Sequence, residues 1–482
     1  MMRILIMSGP NCSLSNALIK SGVRELVCVT DCDVSLRTGE NLVASGTAIA
    51  LPIHLDIDIP AIRSQLLKAY PLIDRWVSKR QSISTTIELM LQYTVTLIKI
   101  VGNYRPHYAI LETGAPHHLF SYCLDTALRY LDIPIYYLYG NAFDGRCLVL
   151  NGNEKSSFVP VSHYSAEKVV DEYIRQIQGN TMYTPADSSK SLTPTLHKSR
   201  LYAISLYFRG ATGRLRLKFK DQPKYKAGTK VRLALPYVGL TDLLGILRAH
   251  KQYQDLLSAS IAFDAGRIHD EDIVYVGHMV PEATSFPESP DYPGEIDVLI
   301  DLKNRFPAAQ IFYREHPAIA LYAEFGHIHL QGLHKCESFC HQLDQLGIVL
   351  IPPSLHISKI RQRNCLFATK TGRVAVENSV LGIPTLLYGF PFYGRHMPLA
   401  FHVSKLPPKT SVQHIRMLAS AVGDHVTAVR EHLVETFAGS IENPGIGMDG
   451  GANSQHLFEA SVVRLAAQLG RQQSCSKPSI EN

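Results

Sequence analysis

Short apolar runs of strand length alternate with longer helical stretches along most of this chain, and the alternation occurs in two separate series. Strands that are separated by helices pair in parallel, and helices then cover both faces of the sheet. The sequence therefore predicts an α/β protein with two Rossmann-like domains that face each other across a cleft. The predicted strands are Arg3–Met7, Leu26–Thr30, His107–Leu111 and Pro134–Tyr139, followed by Ile273–Gly277, Gln310–Tyr313, Ile348–Ile351, Leu366–Thr369 and Thr385–Tyr388.

The two series are separated by a stretch of different composition. It is rich in Ser, Thr, Lys, Arg and Gly, and it leads into a helix predicted from about Thr241 to Ala259. A chain of 482 residues is also longer than one hydrophobic core supports. The predicted divisions are an N-terminal domain at 1–178, a basic insertion with a connecting helix at 179–271, a C-terminal domain at 272–470 and a flexible tail at 471–482.

The distribution of cysteine and apolar residues favours a cytoplasmic protein. The nine cysteines are scattered and odd in number, which fits reduced thiols better than a disulfide framework. No window has the apolar length that a membrane span needs. The segment Met1–Pro10 is typical of a first β-strand rather than of a signal peptide.

A histidine follows the second strand of the C-terminal series. The strand Gln310–Tyr313 runs into Arg314, Glu315, His316 and Pro317. Because Pro317 restricts His316 to extended backbone, we expect the imidazole at the carboxyl end of the strand, where open α/β sheets bind ligands. A histidine there can hydrogen-bond or neutralise a phosphate leaving group. The alternative is a surface turn with an incidental histidine.

A Thr-x-Thr-Gly turn follows another predicted strand of this series. Thr369, Thr371 and Gly372 lead into a predicted helix that carries Glu377. Backbone N–H groups at the start of this helix, together with the hydroxyls, predict an anion site for a phosphate or diphosphate. Glu377 would then accept hydrogen bonds from ribose hydroxyls. The alternative is an ordinary helix cap with Glu377 on a solvated face.

Three further carboxylates lie after predicted strands. Glu282 is in a proline-bounded loop after Ile273–Gly277, which suggests ligand contacts, although a simple hydroxyl-rich loop would look similar. In the first series, Glu112 follows His107–Leu111 and Asp144 follows Pro134–Tyr139. Either of these two can act as the base that takes a proton from an acceptor hydroxyl. A structural role remains the alternative for each.

Taken together, these segments resemble bacterial capsule polysaccharide biosynthesis proteins, a family that includes β-Kdo transferases. The His-Pro pair also resembles that of bacterial sialyltransferases. Two departures are Arg314, where the family usually has Lys, and Arg373, where a small residue is commoner. The motifs that carry the resemblance are Pro281-Glu282-Ala283-Thr284, Tyr313-Arg314-Glu315-His316-Pro317, Thr369-Lys370-Thr371-Gly372 with Glu377, and Gly382-Ile383-Pro384 before Tyr388-Gly389.

The resemblance implies a GT-B-like fold whose C-terminal domain binds a nucleotide sugar and whose N-terminal domain faces the acceptor. In that arrangement His316 meets the donor phosphate, and Thr371, Gly372 and Glu377 hold the rest of the nucleotide. The implied activity is a metal-independent glycosyltransferase for surface or capsular polysaccharide or its lipid-linked precursor, with a CMP-linked keto-sugar as one candidate donor. Two alternatives are a nucleotide-sugar 2-epimerase of the same architecture and a non-catalytic subunit of polysaccharide assembly.

No residue cluster in the sequence predicts a metal ion or another cofactor. Two Asp-x-Asp triplets match the pattern of metal-dependent glycosyltransferases, but such triplets are common by chance. A group of four histidines and cysteines does not have the spacing of a standard zinc site. These residues are Asp31 with Asp33, Asp56 with Asp58, and His334, Cys336, Cys340 and His341.

The segment His197–Arg232 carries eleven lysines and arginines against one acidic residue, Asp221, in a chain whose net charge is +6. Each basic residue near an anionic lipid leaflet contributes roughly 1 kcal/mol to binding. The segment therefore predicts reversible attachment to the inner face of the plasma membrane, with a charged loop as the alternative. No nucleic-acid motif accompanies it.

We expect the protein to sediment with anionic liposomes at low salt and to be released by added salt, because salt screens the attraction. Changing Arg214, Arg216, Lys218 and Lys220 to Gln should abolish sedimentation. Neutral liposomes are the control. Equal sedimentation of the wild type with neutral and anionic liposomes would contradict the membrane prediction.

Overall fold

The structure is a computed structural model, and it describes most of both α/β series. The predictions for Glu112, Asp144, Glu282, Pro317 and the basic segment 197–232 concern positions outside the described residues. Those residues are 3–7, 13–29, 34–38, 41–46, 56–69, 83–111, 119–140, 146–152, 166–179, 248, 251–252, 255–256, 258–278, 288–289, 291–292, 294–316, 337–352, 355–391, 397–438, 440–442 and 452–475.

The described secondary structure alternates between strands and helices. The strands are β1 (Arg3–Ile6), β2 (Glu25–Val29), β3 (Val34–Thr38), β4 (Asn41–Gly46), β5 (Tyr108–Leu111), β6 (Ile135–Gly140), β7 (Arg146–Asn151), β8 (Ile273–Val276), β9 (Ile311–Arg314), β10 (Val349–Ile351), β11 (Leu366–Thr369), β12 (Thr385–Leu387), β13 (Ala400–His402) and β14 (Ser440–Glu442). The helices are α1 (Ser13–Lys20), α2 (Ile59–Leu67), α3 (Ile83–Tyr104), α4 (Leu119–Tyr130), α5 (Ala166–Gln178), α6 (Glu295–Arg305), α7 (Glu337–Gln345), α8 (Ile357–Arg361), α9 (Val374–Val380), α10 (Val412–Ser420), α11 (His425–Ala438) and α12 (Ala452–Cys475).

The first sheet has eight described strands in the order β14-β7-β6-β5-β1-β2-β3-β4. Its centre is parallel, since β1 pairs with β2 and β5, and β5 pairs with β6. Antiparallel strands extend it at both edges. The central strands are buried and apolar on both faces, as a parallel sheet covered by helices requires.

The second sheet has six described strands, all parallel, in the order β10-β9-β8-β11-β12-β13. In chain order within the sheet this is 3-2-1-4-5-6, the order of a doubly wound Rossmann fold. The direction of winding reverses between β8 and β11. The prediction of an α/β protein with two Rossmann-like sheets is confirmed.

The end of the chain returns to the first sheet. The short strand β14 pairs antiparallel with β7, and α12 packs along α1. Val462, Leu465 and Leu469 of α12 are fully buried in the same core as residues of β1 and β2. The strand β14 and the helix α12 thus pack on the first sheet, whereas the sequence assigns residues 272–470 to the C-terminal domain and places a flexible tail from 471.

Asp58, which belongs to one of the two Asp-x-Asp triplets, has a local structural role. Asp58 caps α2, because its Oδ1 accepts a hydrogen bond from the Ala61 N–H at 3.0 Å.

Four cysteines within the described residues are free thiols, and burial raises the pKa of the Cys123 thiol to about 12. No helix in the described part of the chain has both the length and the apolar character to cross a bilayer.

We expect Leu465→Ala to lower the free energy of unfolding by about 2–5 kcal/mol, because it leaves a cavity in the core between α12 and the first sheet. Val463→Ala is the matched control, since Val463 lies on the same helix and is 43% exposed. Urea unfolding followed by circular dichroism measures both. Equal losses for the two variants would contradict this packing.

Candidate functional site

The strand register of the second sheet brings four strand ends to one level. Val276 of β8 lies opposite Arg314 of β9, and Tyr275 lies opposite Ala368 of β11. Thr369 in turn lies opposite Leu387 of β12. Extending each register by two residues places His316, His278, Thr371 and Gly389 in one row, and the contacts of Thr371 with His278 and with Gly389 follow this order. We call these four residues the edge row; they lie at the carboxyl edge on both sides of the point where the winding reverses, where sheets of this order bind ligands.

His316 is held at this edge by the residue before it. Glu315 is fully buried, and its Oε1 accepts a hydrogen bond from the His316 backbone N–H at 2.7 Å. The same oxygen accepts the Tyr313 hydroxyl at 3.0 Å. The sequence predicts the position of His316 through Pro317, which lies outside the described residues. The structure adds a second constraint on its backbone, from a buried carboxylate.

A glycine on the neighbouring strand makes room for this arrangement. Tyr313 stacks on Tyr275 with ring centroids 5.8 Å apart, and both rings are fully buried. A Cβ atom on Gly277 would lie 2.7 Å from Cε2 of Tyr313 and 2.9 Å from its hydroxyl oxygen. Only glycine therefore leaves the Tyr313 hydroxyl where it can reach Glu315.

His278 is a site residue that the sequence reasoning missed. It follows β8, is buried, and its Nε2 lies 3.3 Å from the Thr371 backbone nitrogen and 3.1 Å from Thr371 Oγ1. A backbone N–H can only donate, so Nε2 is the acceptor in its contact with the Thr371 N–H. The contact joins β8 to β11 directly across the point of reversal.

A buried ion pair lies beneath His278. Oε1 of Glu295, in the first turn of α6, accepts a hydrogen bond from the His278 backbone N–H at 3.2 Å. The Lys370 ammonium nitrogen is 3.7 Å from the same oxygen, and the two side chains are 0% and 2% exposed. Burial of a carboxylate is unfavourable without a cation and hydrogen bonds, and here it has both.

Thr369 and Gly372 form the turn that carries Thr371. Thr369 Oγ1 donates to the Val276 carbonyl at 3.2 Å and accepts the Gly372 N–H at 3.2 Å. A Cβ on Gly372 would lie 2.5 Å from Thr369 Oγ1. Both predicted residues therefore shape the turn, and their contact with a nucleotide stays a prediction. The helix that follows, α9, has only seven residues.

Arg314 is buried, and its guanidinium group donates to the Leu355 carbonyl from Nη2 at 3.1 Å and from Nε at 3.4 Å. This contact ties β9 to the segment that precedes α8. The predicted contact of Arg314 with the donor stays a prediction, and in this structure the side chain has a structural partner.

Glu377 is buried rather than on a solvated helix face. Its Oε2 lies 2.6 Å from Nη2 of Arg361, and its Oε1 lies 3.7 Å from Nε of Arg373. Arg361 also donates from Nε to Asn378 Oδ1 at 2.8 Å. The carboxylate thus joins α8 to α9, and a contact with ribose would add to an existing ion pair.

An exposed aromatic ring follows the edge row. Phe390, directly after Gly389, is 37% exposed and stacks on His402 with ring centroids 3.6 Å apart and an interplanar angle of 16°. Its N–H donates to the Glu288 carbonyl at 2.6 Å. A flat ring of this kind can stack against a nucleobase or a sugar face.

The remaining predicted residues do not gather around this edge within the described part of the chain. Asp56 and Asp58 lie before α2 on the first sheet's side, and Cys340 and His341 lie on α7. Within the described residues, no group of three or more His, Cys, Asp or Glu side chains is arranged to hold a metal ion. Asp31, Asp33, His334 and Cys336 lie outside the description.

Comparison of the sequence with protein-family models and with curated proteins gives no match. Among solved structures the chain is similar to KpsC of Thermosulfurimonas dismutans, a beta Kdo 2,7 transferase, at 20% identity and a TM-score of 0.24. That similarity spans 49% of this chain and 65% of KpsC.

Two further solved structures are similar over nearly the whole chain. UDP-GlcNAc 2-epimerase of Neisseria meningitidis, bound to UDP-GlcNAc, is 10% identical with a TM-score of 0.21 over 98% of this chain and 100% of the epimerase. A glycosyltransferase of Rickettsia africae is 9% identical with a TM-score of 0.24 over 99% of each chain. At TM-scores this low the similarities carry no argument about the function of this chain.

We expect Arg361→Met to lower the free energy of unfolding by about 3–5 kcal/mol, because it leaves the Glu377 carboxylate buried without its closest cation. Lys359→Met is the control, since Lys359 lies on the same helix and is exposed. Chemical unfolding measures both variants. A loss for Arg361→Met no larger than that for Lys359→Met would show that the pair does not hold α8 to α9.

Proposed function

We propose that this protein is a metal-independent glycosyltransferase that moves a sugar from a nucleotide-activated donor to a surface or capsular polysaccharide or its lipid-linked precursor. The observation that carries the proposal is the edge row, with His316, His278 and Thr371 at one level beside the winding reversal of a Rossmann-order sheet. Such a position binds the phosphates of nucleotides in other sheets of this order. The motif resemblance of the sequence supports the same reading.

In this reaction the acceptor oxygen forms a bond to the anomeric carbon as the bond from that carbon to the donor phosphate breaks. The acceptor proton passes to a carboxylate of the N-terminal domain, for which Glu112 and Asp144 are the candidates. Negative charge develops on the departing phosphate. The backbone of His316 is held at the strand end by Glu315, and the role proposed for its imidazole is to stabilise that charge.

The donor class is tested by a thermal-shift screen with CMP-, UDP-, GDP- and dTDP-linked sugars. A ligand that binds the folded state raises the apparent melting temperature by mass action. Stabilisation by one nucleotide class, followed by release of the free nucleotide in the presence of a glycan acceptor, supports transfer. Interconversion of sugar epimers would replace the proposal with the epimerase, and glycan binding without turnover would replace it with a non-catalytic subunit.

We expect His316→Ala to keep the fold and to lose about a hundredfold or more in kcat, because one stabilising contact to the departing phosphate is removed. His269→Ala is the control, since His269 is exposed near the opposite, amino end of β8. Initial rates with the donor found in the screen, measured with and without EDTA, test the claim. Near-normal turnover of folded His316→Ala contradicts the role of His316, and loss of wild-type activity in EDTA contradicts metal independence.

A further inference from the structure

We propose that His278 is a positioning residue that sets the Thr371 hydroxyl toward the donor phosphate, so that the two side chains act as one unit across the winding reversal. The inference rests on the proposed function and names a part of its site that the sequence motifs do not contain. It starts from the contact of His278 Nε2 with both the backbone nitrogen and the hydroxyl oxygen of Thr371.

The two hydrogen bonds of this contact are not equivalent. The Thr371 backbone N–H has a fixed direction and donates to Nε2 at 3.3 Å. The hydroxyl at 3.1 Å can rotate about its C–O bond, as every threonine hydroxyl can. When a phosphate oxygen arrives, the hydroxyl can donate to it while the N–H remains bonded to the imidazole. The imidazole of His278 therefore holds Thr371 in place, while the proton of the Thr371 hydroxyl stays available to a phosphate oxygen.

The backbone of His278 is itself held by a hydrogen bond to a buried carboxylate. The carboxylate of Glu295 holds its backbone N–H at 3.2 Å, and Lys370 compensates the buried negative charge of that carboxylate. His316 on the neighbouring strand has an equivalent support, because Glu315 accepts its backbone N–H at 2.7 Å. His278 and His316 thus each have a buried carboxylate that accepts a hydrogen bond from the main-chain N–H.

Thr371 is also confined on its far side. A Cβ on Gly389 would lie 2.7 Å from Cγ2 of Thr371 and 2.8 Å from the Glu288 carbonyl oxygen. The threonine methyl group therefore fills the space that a side chain at position 389 would need. With its methyl against Gly389 and its hydroxyl against His278, Thr371 has its side-chain orientation set by both neighbouring strands.

The consequence for binding is specific to phosphate. A hydroxyl that donates to a charged phosphate contributes more than one that donates to a neutral group, and the proposal gives Thr371 no contact with the nucleoside part of the ligand. Loss of the positioning contact should therefore weaken binding of a nucleotide and leave binding of the matching nucleoside unchanged. A purely structural role for His278 would weaken both to the same extent.

The test is a double-mutant cycle measured by isothermal titration calorimetry with CMP and cytidine, and with UDP and uridine. We expect His278→Ala and Thr371→Val each to lower the preference for nucleotide over nucleoside about tenfold, the effect of one hydrogen bond to a charged group. The double variant should lose no more than either single variant, since the two residues act as a unit. His269→Ala should bind as the wild type does.

His278→Gln covers the case in which His278→Ala does not fold, because its amide oxygen can accept the Thr371 N–H. We expect it to retain most of the phosphate preference. Wild-type preference in folded His278→Ala, or additive losses in the double variant, overturns this inference and leaves the proposed function standing. If the wild type binds neither nucleotide nor any sugar donor of the screen, the proposed function fails and this inference with it.

Discussion

The hydrogen-bonded register of β8 with β9 on one side and β11 on the other determines the chemistry of the second sheet. Because these strands are parallel and in step, the residues that follow them emerge at one level. A shift of one residue in either pairing would turn every side chain of that strand to the other face. His316, His278 and Thr371 are neighbours only while both pairings hold. The side-chain bond from Thr369 to the Val276 carbonyl strengthens one of them at the strand end.

The buried ion pair of Glu295 and Lys370 fixes the position of the His278 backbone more than it adds to the net stability of the fold. Taking Glu295 and Lys370 out of water is expensive, and a well-packed apolar pair of similar volume would serve the core about as well. Their specific effect is the fixed position of the His278 N–H. Burial and the nearby Glu295 carboxylate also raise the pKa of Tyr275 well above its ordinary value, so this phenol stays protonated and neutral beside the ion pair. Of Tyr275, Glu295 and Lys370, the two that carry a charge are therefore Glu295 and Lys370.

Periodicity and turn chemistry predicted much of this fold, and contacts distant in sequence account for what they missed. The five predicted strands of the second series appear within a residue of their positions, because each is an apolar run bounded by turn residues. The sequence predicts the position of His316, because Pro317 directly follows it. It gives no such local signal for His278, whose partner Thr371 is 93 residues away and is brought close only by the strand order. It predicts Glu377 on a solvated face or against ribose, because nothing local shows that Arg361 packs against it. The strand β14 is three residues long, too short for a periodic signal, and it joins a sheet formed by the opposite end of the chain.

The helix α9 connects the candidate site to the first sheet. It begins just after Gly372, at the end of the turn that carries Thr371, and its other residues Val376 and Val380 belong to the same core as Ile174 and Ile177 of α5. The helix α11 packs against both α9 and α5, and Arg430 on it forms a bidentate ion pair with Asp171 of α5. The transfer proposed above would require the group that holds the donor and the group that activates the acceptor to keep a defined separation. Because α9 contacts α5 and also begins at the end of the turn that carries Thr371, the packing of α9 constrains the position of that turn relative to the helices of the first sheet. The packing of Val376 and Val380 therefore joins the helix that follows the Thr371 turn to the core of the first sheet.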